Sequence, residues 1–161
     1  MIISNNIVNN NWDGIRIIGS YNLITNNIIN YNDQVGISLT GISNFLYNNR
    51  LEECGILIWD GAQVIDTTNL VNGKPVYNFV NEVGLGPNDF LNAGQIILYN
   101  CQDVIISDLI MSDVTRGIAL YYCERVTISN CVISNNILQG IMLYESSFNV
   151  LKDNILIANS E

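Results

Sequence analysis

A phrase of the form N-x-(I/L)-x-x-N-x-(I/L)-x-x-N recurs along this chain, and it constrains the fold more than any other feature. It is cleanest at Asn22, Ile24, Asn27, Ile29 and Asn32. A second copy runs Asn44, Leu46, Asn49, Leu51 and Cys54, and the last runs Asn149, Leu151, Asn154, Leu156 and Asn159. In the copies between, apolar residues replace asparagine: Val104, Ile106, Leu109, Met111 and Val114, then Val126, Ile128, Cys131, Ile133 and Asn136. The middle position falls at Asn6, Asn27, Asn49, Asn69, Leu109, Cys131 and Asn154. That is a step of about 22 residues, broken by one gap of about 40.

A second phrase, typically G-I-x-L, follows each copy. It reads Gly14 to Ile17, Gly36 to Leu39, Gly55 to Ile58, Gly117 to Leu120 and Gly140 to Leu143, with Gln95 to Leu98 as a glycine-less variant. Its alternation has period two, and no stretch offers helical periodicity with caps. Short strands separated by tight Asn or Gly corners at fixed spacing describe a coil whose successive turns pair in parallel. The expected fold is therefore all-β, a single-stranded parallel β-helix of about seven rungs with about 22 residues each. Equivalent residues then stack about 4.8 Å apart. A column that mixes Asn with Val, Leu and Cys reads as an inward or corner ladder, with amides bonded to each other and to backbone.

The pattern resembles the right-handed parallel β-helix repeat of NosD-like proteins and of the carbohydrate-binding and sugar-hydrolase repeat family, and more distantly that of pectate lyases. The resemblance covers all of the chain except the gap. It implies a right-handed coil and an extracellular, periplasmic or cell-surface location. Repeats rich in Asn, Ile and Gly with a tyrosine-containing insertion are similar to archaeal surface members. The opening Met-Ile-Ile-Ser-Asn-Asn lacks the regions of a signal peptide, and no apolar run approaches the ~18 residues that span a bilayer.

Composition removes several function classes. Fifteen acidic residues against six basic ones give a net charge of −9, and there is no histidine. Such a chain has no clustered Lys and Arg for phosphate, so nucleic acid and anionic membranes are not expected partners. Lack of histidine excludes Ser-His-Asp and Cys-His catalysis and removes the commonest ligand of zinc and copper. No cofactor is expected. Copper, which the NosD resemblance brings up, would have only the four cysteines, Met1, Met111 and Met142, and the repeat turns Met111, Cys54 and Cys131 inward. Cys101 and Cys123 share one column on successive rungs. They read as unpaired core residues or as a disulfide in an oxidising compartment.

The residue after G-I-x-L faces outward, and it reads Ile18, Thr40, Trp59, Tyr99, Tyr121 and Tyr144. Trp59, Tyr99, Tyr121 and Tyr144 would form an external aromatic ladder suited to the apolar faces of sugar rings. The competing reading buries these rings as ordinary half-covered strand residues. A second outward column, Asn48, Thr68, Asp108, Asn130 and Asp153, offers oxygens for calcium at Asp108, Asn130 and Asp153, but too few of them without help. Lyase chemistry would need Arg125 or Lys152 as base, and Arg125 reads better as a cross-strand salt bridge to Asp103. Asp60, Asp66, Glu124 and Glu145 can supply a hydrolase pair, yet nothing in the sequence selects two of them. No catalytic residue is assigned.

Residues 72–92, which carry both prolines, break the repeat step and alternate around Val76 to Val80. A protruding hairpin or lid is expected there, or a cover for an apolar flank. Neither end carries an atypical capping rung, so residues 1–161 read as one β-helix domain, a segment of a longer solenoid or one covered by neighbouring chains. The leading functional expectation is a non-catalytic surface or secreted scaffold that binds polysaccharide along the aromatic ladder. The alternatives are a fragment of a polysaccharide lyase or glycoside hydrolase, and a structural subunit that forms a homo-oligomer end to end through its open rungs.

Overall fold

A computed structural model describes residues 1–160. They form 21 short strands and one 3-10 turn, Pro87–Phe90. The repeat sets the register directly. Ile3 pairs with Ile24, Ile24 with Leu46 and Leu46 with Ile65, all in parallel. Their side chains line the interior, with Ile24 and Leu46 fully buried.

Each corner of the coil uses two residues in sequence. Asn5, Asn26, Asn48, Asp108, Asn130 and Asp153 are left-handed, with φ between 54° and 59°. Asn and Asp reach this region more readily than other side chains because they bond locally to backbone. The next residue, such as Asn6, Asn27 or Asn49, turns inward and joins the ladder, which explains the Asn-Asn doublets. The Oδ1 of Asn27 accepts from the backbone N (3.0 Å) and Nδ2 (2.9 Å) of Asn6. Its Nδ2 donates to Asn49 Oδ1 at 2.9 Å and to the Ile3 carbonyl at 3.1 Å. Such full pairing makes a buried amide tolerable. The glycine of G-I-x-L is steric in origin: a Cβ at Gly14 would lie 2.5 Å from the Gly36 carbonyl oxygen, and one at Gly117 would lie 2.7 Å from that of Gly140.

The β-helix has two coils. In residues 1–71 the strands Ile7–Asn9, Ile28–Asn30, Arg50–Glu52 and Leu70–Val71 stack in parallel. Asn72 and Gly73, at φ 51° and 74°, then make a two-residue turn. The next strand, Lys74–Val80, runs back antiparallel to Leu70–Val71. Gln95–Tyr99, Ile118–Tyr121 and Ile141–Tyr144 continue parallel to it, giving one shared eight-stranded sheet. Paired residues point to the same face, so the register carries Leu51 and Val71 of the first interior over to Val76, Ile97 and Ala119, with which they share one core. The second interior, with Tyr77, Phe79, Ile96, Leu98, Ile118 and Leu120, lies on the opposite face. Reversing the strands while moving the interior across the sheet preserves the hand of the coil.

This arrangement corrects the expectation of a protruding hairpin at residues 72–92 and is nearer the alternative of a segment covering an apolar flank. The segment does not protrude, because Lys74–Val80 is an integral strand of the shared sheet. The rest closes the near end of the second coil: Phe90 is fully buried, edge-on to Tyr77 at 6.0 Å and to Phe79 at 5.6 Å. The first coil is closed by the second. The end strand of its three-stranded sheet, Ile56–Ile58, has a free edge, and outward side chains of the second coil pair with it. Thr115 Oγ1 accepts from the Gly55 N–H at 2.8 Å, and Gln95 accepts from the Ile56 N–H at 2.9 Å and donates to the Ile56 carbonyl at 2.7 Å. Tyr121 donates to the Ile58 carbonyl. A strand edge that would otherwise offer unpaired groups is thereby covered. At the last described rung Leu151 and Leu156 are half-exposed, whereas Ile128 and Ile133 one rung inward are fully buried.

Candidate functional site

The seam where the second coil overhangs the first gathers four tyrosines. Tyr99, Tyr121 and Tyr144 are in register on three successive strands. Tyr122 stands beside them at a left-handed corner, φ 56°. Ring centroids of Tyr99 and Tyr122 lie 5.3 Å apart, and those of Tyr122 and Tyr144 lie 5.7 Å apart, both edge to face. Tyr99 and Tyr121 stack at 6.3 Å. These are ordinary aromatic contact geometries, so the rings form one continuous patch.

The four-rung ladder expected from sequence is revised in two respects. Trp59 follows Ile56–Ile58, the end strand of a separate three-stranded sheet, so it is out of register with Tyr99. Tyr121 is only 5% exposed, because its hydroxyl is committed to Ile58. The exposed part of the tyrosine cluster is instead Tyr122 at 41% and Tyr144 at 50%, with Tyr99 half-buried against Tyr122, while Trp59 is exposed separately on the first coil. Trp59 is held by its Nε1, which donates to Ser38 Oγ at 3.0 Å. Tyr122 escaped the sequence reading because that reading followed strand positions, and this ring leaves from a corner.

Electrostatics at the seam are acidic. Burial pushes the Tyr122 hydroxyl up, and the neighbouring Tyr144, Tyr99, Asp60 and Glu145 push it further. Burial also raises Tyr121, opposed by the Arg116 guanidinium. Arg116 is held by Gln139, with Nε 2.6 Å from Oε1, and reaches the Tyr121 hydroxyl at 3.4 Å. Of the four carboxylates considered for hydrolysis, Asp60 and Glu145 are the two whose charge is felt at the Tyr122 hydroxyl. Asp66 accepts from the Thr68 hydroxyl, and Glu124 pairs with Arg125 at 3.0 Å.

Other candidate residues have local structural partners. Asp108, Asn130 and Asp153 are the left-handed corner residues described above, so their residue types answer to backbone geometry. Asp108 accepts from Ser107 at 2.6 Å, and Asp153 lies 3.8 Å from Lys152. No group of three His, Cys, Asp or Glu residues is placed to hold a metal among the described residues. Asp103 and Arg125 form the cross-strand pair at 2.7 Å. All four cysteines are buried free thiols. Cys101 and Cys123 lie in register, and contact with Cys101 together with burial pushes the Cys123 thiol up. Two contiguous depressions of about 280 and 340 Å³ lie on the outer face of the first coil around Ile28, Arg50 and Leu70, with no aromatic lining.

Parallel rungs, asparagine ladders and a shared sheet define a β-helix repeat protein. The family model described as the right-handed β-helix region matches residues 1–161, and the chain belongs to that family. Neither a curated protein nor a solved structure matches the chain.

Proposed function

We propose that the protein is a non-catalytic β-helix scaffold of a surface or secreted protein that binds carbohydrate at the tyrosine seam. A β-helix repeat suits a scaffold or a carbohydrate-active role in general terms. The observation that carries the specific reading is the outward pair of Tyr122 and Tyr144, in ring contact with each other and, through Tyr122, with the half-buried Tyr99. Aromatic rings pack against the apolar faces of sugars, and Tyr122 and Tyr144, edge to face at 5.7 Å, offer a compact exposed aromatic corner for such a contact. Rigid strands hold the rings in place, so little ordering entropy opposes binding. Placement at the cell exterior follows from the resemblance of the repeat and belongs to the same proposal.

The test is a glycan array probed with the wild-type chain and with Tyr122→Ala and Tyr144→Ala, each checked by circular dichroism. Both substitutions fall on exposed rings, so the fold is retained. Loss of glycan signal in folded variants supports the reading. A wild-type protein that binds no glycan refutes it.

A further inference from the structure

The two end rungs of the described β-helix are complementary, and the amide ladders give that complementarity a direction. Val150–Lys152, Ile155–Ile157 and Ile141–Tyr144 are edge strands at one end, and Ile2–Ser4, Ile7–Asn9 and Asp13–Ile18 are edge strands at the other. Leu151 and Leu156 are half-exposed, and Ile3 and Val8 are only partly buried. Ile3 and Leu151 hold the same position of the repeat, as do Asn6 and Asn154, Val8 and Leu156, and Asn11 and Asn159. In the inward columns every amide-to-amide bond runs forward, from the nitrogen of one rung to the oxygen of the next, as in Asn6 to Asn27, Asn27 to Asn49 and Asn136 to Asn159. The last rung therefore has its acceptors filled and its forward donors open. Asn154 Oδ1 accepts from the Cys131 N–H at 3.0 Å, and Asn159 Oδ1 accepts from Asn136 Nδ2 at 2.8 Å. Asn149 Nδ2 is buried with no partner among the described residues, whereas the equivalent nitrogens of Asn22 and Asn44 donate to the next rung at 2.9 and 3.0 Å. The first rung is the converse: Asn6 and Asn11 send their N–H groups forward to Asn27 and Asn32, and their Oδ1 atoms hold the place from which other inward amides accept from a preceding rung.

We propose that the face formed by Leu151, Asn154, Leu156 and Asn159 receives the first rung of a second copy of this chain, head to tail. Stacked as internal rungs are, about 4.8 Å apart, Ile2–Ser4 lies on Val150–Lys152, Ile7–Asn9 on Ile155–Ile157 and Asp13–Ile18 on Ile141–Tyr144. Asn154 and Asn159 then donate to the side-chain oxygens of Asn6 and Asn11, while Ile3 and Val8 cover Leu151 and Leu156. The third column sets Asn149 against Met1, which supplies no amide, so two of the ladders continue across the joint. Contact between two copies of the same end fails, because donors would face donors or acceptors would face acceptors. A head-to-tail contact repeated along a coil axis does not close, so it builds a filament and removes free strand edges at every joint. The joint requires no sugar and stands apart from the carbohydrate reading.

Sedimentation velocity of the 161-residue chain over a wide concentration range tests this, together with Val8→Lys, which places a charge on the first rung, and Leu156→Lys, which places one on the last. Wild type should assemble progressively with concentration. Each variant, folded by circular dichroism, should sediment as a single chain, and a 1:1 mixture of the two should give a dimer and nothing larger, because each keeps one working end. Negative-stain electron microscopy of the wild type reads the same geometry without any substitution, and filaments one molecule wide are expected. A wild-type chain that stays single at every concentration overturns the proposal, as do closed dimers or side-by-side arrays in the micrographs. A Val8→Lys chain that dimerises alone would show pairing of two last rungs and overturn the direction set by the ladders.

Discussion

The hydroxyl of Tyr121 donates to the backbone carbonyl of Ile58, 63 residues earlier, across 2.5 Å. This bond joins an outward side chain of the second coil to the free strand edge of the first. With Gln95 and Thr115 it does what another rung would do, pairing backbone groups that would otherwise be buried without partners. Tyr121→Phe keeps the ring and removes the bond, so unfolding free energy should fall by about 1–2 kcal/mol. Gln95→Leu strands both the N–H and the carbonyl of Ile56, and should cost about 2–4 kcal/mol. Urea unfolding of both variants decides the matter. If Gln95→Leu behaves like a surface substitution, side-chain capping of the edge is not what holds the coils together.

Asn49 lies at the centre of the best-formed ladder. Its Oδ1 accepts from the backbone N and Nδ2 of Asn27, and its Nδ2 donates to the Ile24 carbonyl and to Asn69 Oδ1. Asn49→Ala leaves several fully buried groups unpaired at once, and a loss of about 3 kcal/mol is expected in denaturant unfolding. A loss below about 0.5 kcal/mol would mean that packing alone can replace the amide. Leu109 and Cys131 occupy the equivalent repeat position in the second coil.

Rung spacing and interior faces were legible in sequence because both follow from local period. Ile24, Ile29, Leu46 and Leu51 all lie inside as the repeat requires. The reversal at Asn72-Gly73 was half visible. Asn-Gly is a hairpin signal, and the alternation of Val76 to Val80 marks a strand. Alternation does not say which face meets the core, and that choice depends on contacts with residues far away in sequence, such as Ile97 and Ala119. For the same reason the repeat did not foresee that Tyr121 would close the first coil. The corner column around Asp108 and Asp153 looked like chemistry because Asp and Asn serve cations and left-handed turns equally well.

The buried thiols give a direct check on the core. Cys54, Cys101, Cys123 and Cys131 have no solvent exposure, and burial pushes Cys54 and Cys131 away from the reactive thiolate. Native protein should therefore not react with a thiol-specific chromogenic disulfide on the timescale of mixing. The four cysteines of the sequence should all react once the chain is unfolded. A thiol that reacts in the native state would contradict the packing, and a shortfall after unfolding would point to a Cys101–Cys123 disulfide.

The Asp103–Arg125 pair predicts a pH dependence of definite sign. Arg125 approaches Asp103 through Nε at 2.7 Å and through a second nitrogen at 3.1 Å, and this holds the Asp103 carboxyl below the usual carboxylate range. Folding lowers the proton affinity of the group. Its contribution to stability is therefore present above the ordinary carboxylate pKa and disappears as pH falls through the lowered folded value. Arg125→Gln should return the Asp103 titration, followed by carboxyl carbon NMR, to the ordinary range. The stability gap between wild type and variant should be present at neutral pH, small because both partners are half-exposed, and should close in acid. High salt should narrow it at neutral pH for the same reason. A gap that widens on acidification would reverse the linkage and show that Arg125 stabilises the coil through packing of its side-chain stem instead of its charge.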